Sequence, residues 1–357
     1  MANGALSALE HFLTQAMQQS ATELLLLPGE PPAFRANGRL VRAEAAPLTA
    51  GEIEDIAAAA LGLERIAQIG HALGGLYAAV KLSETLHAAV GVARCGGHLS
   101  LWARPMQAFI ASLNEIPVPE ELVRAVEASG PGLVIVTGPR GCGKTTTCYA
   151  LLEHINATRD VHLALIEYSA EFVFEPKRAL IQQRQVGLDA PDATSAIHAS
   201  LIQNADVLFL GEIRDLDTLA ASLSAPENGK LVLTQLHQPT PERAVRKVLE
   251  LATQEAAPTL RQCLARHLRV IASQMLLPRA DGRGRVPAHG VLVPDEGMRR
   301  AILEGREIFP TGRPLPSGCR TMTADIARLR DAGIVSADAA REALEVVESY
   351  AQAQNHP

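Results

Sequence analysis

The feature that most restricts the fold is Gly138–Thr145, reading GPRGCGKT. It fits G-x-x-x-x-G-K-[ST] at every position. Leu133–Thr137 (LVIVT) stands before it, short, apolar and rich in branched residues, which predicts a buried strand. Thr145–Ile155 follows with apolar residues at helical spacing and no Pro or Gly, which predicts a helix. Strand, glycine loop and helix is the context the motif needs. Gly138, Gly141 and Gly143 let the backbone curl so that successive N–H groups point into one concavity. The helix N-terminus adds partial positive charge at the same spot. Lys144 brings a cation to the outer phosphates of a nucleotide, and the Thr145 hydroxyl can ligate Mg²⁺. A glycine turn that happens to precede a helix is the plain alternative. It leaves the lysine and threonine in this context unexplained.

At 357 residues the chain suggests about two or three domains, each able to bury a core. Charged residues are 20% and hydrophobic ones 47%, a soluble globular composition. The formal net charge of −6 argues against a nucleic-acid binder held by bulk charge. The N-terminal MANGALSALEHFLTQAMQQS is polar and amphipathic, so no signal peptide is expected. No apolar run approaches the roughly 18 residues of a membrane span. The expected location is therefore cytoplasmic. The five cysteines, Cys95, Cys142, Cys148, Cys263 and Cys319, form no C-x-x-C pair, which argues against a zinc ribbon. Cys142 lies inside the glycine loop, where N–H groups and Lys144 would lower a thiol pKa and make a redox switch. The bland alternative is a small residue filling a loop position.

Along the chain, residues 4–20 read as an amphipathic helix and Thr22–Leu27 as a strand. A hairpin through Phe34, Gly38 and Leu40 follows, then a helix from Glu52 to Leu61 capped by Thr49. Tyr77–Leu82, Leu86–Val92 and Leu99–Ala103 read as strands, closing a small α/β domain. Ile116–Pro119 (IPVP) is an extended linker. Strands are then expected at 133–137, 162–167, 206–210 and 230–236 with helices between them, which implies a parallel sheet with helices on both faces. After Pro258 the pattern reads as mainly helical, with a hairpin near Arg279–Arg285 and a final helix pair split at Gly333. The expected domains are 1–112, a linker 113–120, a core 121–310 and a helical region 311–357.

Three further strands end in polar groups. DVLFLGEIRD (206–215) puts Glu212 just past a strand, where a carboxylate can polarise an attacking water or hold a metal's water shell. A surface glutamate is the alternative. HLALIEYSAE (162–171) ends a strand in Glu167, a candidate for the metal shell, with Glu171 close behind in a role that can equally be capping or surface. LVLTQLH (231–237) ends in Gln235 and His237. That imidazole can face the γ-phosphate or serve as a core or capping histidine.

The order of these motifs resembles the secretion ATPases of type II secretion and type IV pili, most closely the pilus-retraction type. ATELLLLPGEPPAFRANGRL is similar to the family's opening strand and hairpin, GPRGCGKTTT to its phosphate loop and IEYSAEFVFE to its acidic box. QVGLDAPDATSAIHASLIQNADVLFLGEIRD resembles its Walker B segment, GKLVLTQLH its His box and LLPRADGRGRVPAHGVLV its C-terminal stretch. MRRAILEG is similar to a short motif of the retraction type. The four-cysteine zinc motif and longer N-terminal region usual in assembly-type relatives are absent.

The resemblance implies a RecA-like parallel-sheet P-loop ATPase core with a smaller N-terminal α/β (PAS-like) domain. It implies ATP and Mg²⁺, a homo-hexamer, and peripheral attachment at the inner membrane. The implied partners are a pilus platform protein and a paralogous retraction ATPase, with no nucleic acid. The implied nucleotide-binding set is Gly138, Pro139, Arg140, Gly141, Cys142, Gly143, Lys144, Thr145, Thr146 and Arg104. Glu212, Glu167 and His237 are the implied catalytic residues. Mg²⁺ would be held by Thr145, with Glu167 and Glu212 acting through water.

Departures from the family accompany these matches. Tyr168-Ser169 replace an Asp-Pro, His198 and Ile202 stand where two arginines are usual, and Lys230 replaces the first histidine of the His box. A charge-stabilising arginine is worth about 10³–10⁵ in rate, so a chain lacking both would be slow unless Arg94, Arg104 or Lys230 compensates. Two rivals follow: a weakly hydrolysing accessory subunit of a competent motor, and a nucleic-acid motor on the same core. Acidic balance and the lack of an aromatic-plus-basic stripe count against the second.

Overall fold

Leu9, Leu13 and Ala16 recur at helical spacing and are fully buried, seating helix α1 (Ala2–Gln18) on the strand that follows. The computed structural model describes the chain except residues 1, 20, 37–38, 68, 70–74, 107–109, 251–255, 307, 309–314 and 353–357. The first contact-defined unit comprises Met1–Ile110 with Tyr168–Glu175 and Gln185–Ala190. After α1 come β1 (Ala21–Leu26), β2 (Ala33–Ala36), β3 (Arg39–Arg42), α2 (Ala50–Leu61), α3 (Leu63–Ala67), β4 (Gly75–Lys81), β5 (His87–Cys95) and β6 (His98–Met106). The strands form one sheet in the order β3-β2-β1-β6-β5-β4, with antiparallel neighbours throughout. The expected hairpin is β2–β3, and its tip at residues 37–38 lies outside the described residues. β3 is exposed along its length and carries Arg39 and Arg42, charges that suit an edge strand. Thr49 starts α2 with a capping box: its hydroxyl accepts the Glu52 N–H and the Glu52 carboxylate accepts the Thr49 N–H.

The second unit comprises Ala111–Glu167, Pro176–Arg184 and Pro191–Pro357. It opens with α4 (Glu120–Glu127), β7 (Gly132–Thr137), α5 (Lys144–Thr158), β8 (His162–Glu167) and β9 (Leu180–Gln185). α6 (Ala193–Ile202), β10 (Val207–Leu210), α7 (Leu216–Glu227), β11 (Leu231–Gln235), α8 (Pro241–Glu250) and α9 (Ala257–His267) continue it. β12 (Leu268–Pro278), β13 (Arg285–Leu292), α10 (Glu296–Glu304), α11 (Met322–Asp331) and α12 (Ala337–Gln352) complete it. Seven strands lie in the order β13-β12-β7-β11-β10-β8-β9. β12, β7, β11, β10 and β8 run parallel, as expected from the alternation of strands and helices. Their residues are almost all buried, which explains the continuous apolar runs.

The expectation of a mainly helical region after Pro258 is corrected. Residues 268–278 form the longest strand of the sheet, parallel to β7 on one side and antiparallel to β13 on the other. An apolar run such as VIASQMLL fits a buried helix and a buried strand equally by pattern. The free side of β7 decides between them. The hairpin between β12 and β13 and the helix pair α11–α12 match expectation.

Candidate functional site

All six residues of β7 are buried, and the strand lies between β12 and β11. It delivers the chain directly into the glycine loop. Gly138 has φ +143° and Gly143 has φ +87°, and a Cβ at either would collide with Gln274 of β12, at 2.4 and 2.9 Å. Gly143 caps α5 in the left-handed conformation, with no side chain bonded to the helix N-terminus and no acid in its first turn. The first N–H groups of α5 therefore face an anion-binding position without a competing carboxylate.

Lys144 is buried, and its ammonium donates to the Gly138 carbonyl at 2.9 Å and the Pro139 carbonyl at 2.8 Å. Burial pulls its pKa below the usual lysine value, with Glu212 among the charges that oppose the shift. Thr145 is half-buried, while Thr146 and Arg140 are exposed. Cys142 is buried, and that burial pushes its thiol pKa up despite Lys144 nearby. The expected lowering does not hold, because desolvation of a thiolate outweighs one neighbouring cation. The buried thiol favours the reading of Cys142 as a small residue filling a loop position.

β7, β11, β10 and β8 run parallel, so their carboxyl ends share one edge of the sheet. Glu212 follows β10. Its Oε2 accepts from Arg214 Nε at 2.8 Å, and its Oε1 lies 3.5 Å from His237 Nε2. Burial lowers the His237 pKa, Lys144 lowers it further and Glu212 opposes. The imidazole is thus neutral at neutral pH. Glu167 ends β8, only 4% exposed, and its Oε1 accepts the Tyr149 hydroxyl at 2.5 Å. A Cβ on Gly211 would lie 3.4 Å from Glu167 Cγ, so the β8 and β10 ends touch. The structure brings Lys144, Glu167, Glu212 and His237 to the same edge.

Three contributors escaped sequence reasoning. The Thr137 hydroxyl donates to the Gln238 carbonyl at 2.7 Å and accepts the Gln238 N–H at 2.9 Å, pinning the His237 segment to the end of β7. Tyr149 holds Glu167. Gln274 bonds the loop at the Cys142 carbonyl. A lone hydroxyl ending LVIVT and a lone amide inside VIASQMLL were the available signals for the first and last. Tyr149 carried none, because it reads as one more large residue on a helix.

The other basic candidates sit elsewhere. Arg104, in the first unit, donates to Glu23 Oε1 at 3.1 and 3.0 Å and lies 5.2 Å from the centre of the Trp102 ring. Arg94 donates to the Ile69 and Gly97 carbonyls. Lys230 precedes β11 and donates to Asn204 at 2.5 Å. The five residues of that strand span roughly 17 Å, and His237 lies beyond its other end. Within its own subunit Lys230 cannot stand in for a phosphate-facing arginine. His198 of α6 lines a cleft of about 730 Å³ with Asp192, Asp215 and Asp217. Ile202 is 86% exposed.

Among the described residues no three His, Cys, Asp or Glu side chains are grouped to hold a metal. A hard cation such as Mg²⁺ would be carried by the phosphates, with the Thr145 hydroxyl as its protein ligand and nearby carboxylates acting through water. The uncapped helix N-terminus and the left-handed glycines fit a polyphosphate.

A model of the type II/IV secretion system protein family matches residues 103–333. A twitching motility protein of Neisseria gonorrhoeae is 32% identical over 251 residues, which are 69% of this chain and 66% of that protein. The type IV pilus retraction ATPase PilT of Pseudomonas aeruginosa is 33% identical over 235 residues, 64% of this chain and 67% of that one. The crystal structure of the pilus retraction motor PilT with bound ADP matches with a TM-score of 0.80 at 28% identity, covering 92% of this chain and 95% of that one.

Proposed function

The chain belongs to the type II/IV secretion system protein family and is an ATP hydrolase, and from that premise we propose that it is a hexameric motor of the type IV pilus retraction type. The reading rests above all on the gathering of Lys144, Glu167, Glu212 and His237 at one strand edge beside an uncapped helix N-terminus. Lys144 neutralises the β- and γ-phosphates, and the amides of residues 141–145 hold their oxygens. Water attacks the γ-phosphorus as the bond to the ADP oxygen breaks, and Glu212 takes the proton. A neutral His237 offers an N–H to the γ-phosphate without adding charge. Glu167, whose carboxylate accepts the Tyr149 hydroxyl, would hold water of a Mg²⁺ ion brought by the phosphates.

In this reading the working parts are residues 1–112, 113–120, 121–310 and 311–357. Hydrolysis rotates the first part against the core at the cytoplasmic face of the inner membrane, on a platform protein. No helix among the described residues is long and apolar enough to cross a membrane. The experiment is steady-state ATP hydrolysis with particle mass, on wild type and Lys144→Ala. Nucleotide-dependent hexamers that turn over, and loss of ADP binding in Lys144→Ala, are expected. Absence of nucleotide binding in folded wild-type protein sinks the proposal.

A second reading has its own support. His198 and Ile202 replace two arginines, and Arg94 and Arg104 are already engaged within the first unit. A subunit of this kind would bind nucleotide, hydrolyse it slowly and assist a competent paralogue. Turnover measured alone and mixed with such a paralogue separates the two. Robust activity alone eliminates the accessory role.

A further inference from the structure

We infer that Gln274 is a positioning residue of the phosphate loop: its carboxamide sets the Cys142–Gly143 peptide so that an amide N–H faces the bound phosphates. The inference rests on the ATP-binding reading and adds a residue to it. Gln274 lies on β12, parallel to β7, and is buried. Its Nε2 donates to the Cys142 carbonyl at 2.6 Å, and its Oε1 accepts the Thr147 hydroxyl at 2.8 Å. One neutral side chain thus grips the loop and the first turn of α5 together. The carbonyl can only accept, so the NH₂ must face Cys142, and the oxygen is left for the threonine.

The consequence follows from peptide geometry. In a planar trans peptide the C=O and the following N–H point in opposite directions. With the Cys142 carbonyl turned onto β12, the Gly143 N–H is turned away from β12, toward the concavity of the loop. Gly143 is the N-cap of α5 at φ +87°, where a peptide flip is sterically inexpensive. Something has to hold that peptide in one orientation, and Gln274 is the side chain bonded to it. The backbone approaches as closely as the amide does. A Cβ at Gly138 would meet the Gln274 carbonyl oxygen at 2.4 Å, and one at Gly143 would meet Nε2 at 2.9 Å. Two loop glycines are therefore required by residue 274 as well as by the phosphates.

No other side chain does the same work. Leu fills the space without a donor or acceptor. Glu keeps the acceptor for Thr147 but opposes the Cys142 carbonyl with a second oxygen. Once protonated, Glu becomes a donor again. Burial raises a carboxyl pKa, so this recovery falls at mildly acidic pH.

The test uses the full chain. Binding of Mg·ADP is followed by calorimetry, and ATP hydrolysis by KM and kcat, for wild type, Gln274→Leu and Gln274→Glu at pH 8 and pH 6. Gln274→Leu is expected to weaken ADP binding and raise KM by about 10- to 100-fold, the scale of a buried hydrogen bond lost, with a much smaller change in kcat. Gln274→Glu is expected to bind weakly at pH 8 and to regain affinity at pH 6 relative to wild type. Lys144 and His289, the latter opposite Gln274 on β13, are present in both proteins, so the wild-type profile subtracts their titration. Wild-type affinity in folded Gln274→Leu overturns the inference. Should that variant not fold, a Gln274→Glu profile parallel to wild type overturns it instead. If wild type itself binds no ADP, the ATP-binding reading fails first, and the two failures are told apart.

Discussion

Glu23 and Glu167 each sit on a strand, one in each unit. Glu23, on β1, is reached by Arg35 at 3.2 Å and Arg104 at 3.0 Å, with both arginines about half exposed. Glu167, at the end of β8, is buried and takes the Tyr149 hydroxyl at 2.5 Å. Ion pairs whose arginine stands about half in water, as both do here, contribute about 0–1 kcal/mol. Burying a carboxylate costs several kcal/mol before its partners repay any of it. The same contrast runs through the two sheets. The antiparallel sheet keeps its arginines in water, as Arg42 beside Glu30 and Arg35 beside Glu23 do. The parallel sheet buries Thr137, Glu167 and Gln235 at its carboxyl edge, and Lys144 is buried beside it at the start of α5. Lys144 and Glu167 are charged groups buried where the strand ends converge, which is where an α/β sheet binds ligands.

The largest effect is expected at that edge. Glu212→Gln should cut kcat by about 10²- to 10⁴-fold, the worth of a general base, while ADP affinity by calorimetry stays near wild type. Full turnover in that variant refutes the water-activating role.

His289, buried on β13, gives the next. Burial lowers its pKa from 6.5 to about 4, with Asp325 opposing and Arg320 and Arg328 adding to the shift. The unfolded chain therefore binds the proton more readily. This histidine's contribution to stability is complete above pH 6.5 and is lost as pH falls toward about 4. The loss is about 3 kcal/mol. Urea melts at pH 7 and pH 4.5 should show it, and His289→Gln should flatten the difference. An unchanged slope in the variant removes His289 from the acid response.

Thr137→Val sharpens the comparison further. It takes away both bonds to Gln238 while keeping the shape of the side chain. A destabilisation of about 1–3 kcal/mol is expected for the unsatisfied groups, together with a raised KM as His237 loses its seat. The smallest effect belongs to the first unit. Arg104→Ala should change stability by no more than about 1 kcal/mol. If Arg104 also reaches nucleotide, as the family resemblance implies, turnover should fall while the melting temperature holds. Unchanged turnover takes it out of the nucleotide set.

Much of this was legible in the chain as written. Gly138–Thr145 announced a phosphate loop because glycine spacing, lysine and threonine are local in sequence and act within one turn of backbone. The strand runs LVIVT, HLALIE, DVLFL and LVLTQ were readable because both faces of a parallel sheet are covered, which leaves no polar alternation to confuse the pattern. Glu212, Glu167 and His237 were readable as residues just past such runs. Only the tertiary structure decided what depends on distant segments meeting. The Gln274 side chain meets the Cys142 backbone carbonyl across 132 residues, and the Thr137 hydroxyl meets the Gln238 carbonyl across 101. Whether VIASQMLL became strand or helix depended on β7 having a free side. Cys142 and Lys144 shifted in pKa through desolvation, which neighbours in sequence do not report. Local physics is written in adjacent residues, whereas burial and long-range hydrogen bonds exist only once the strands have found their order.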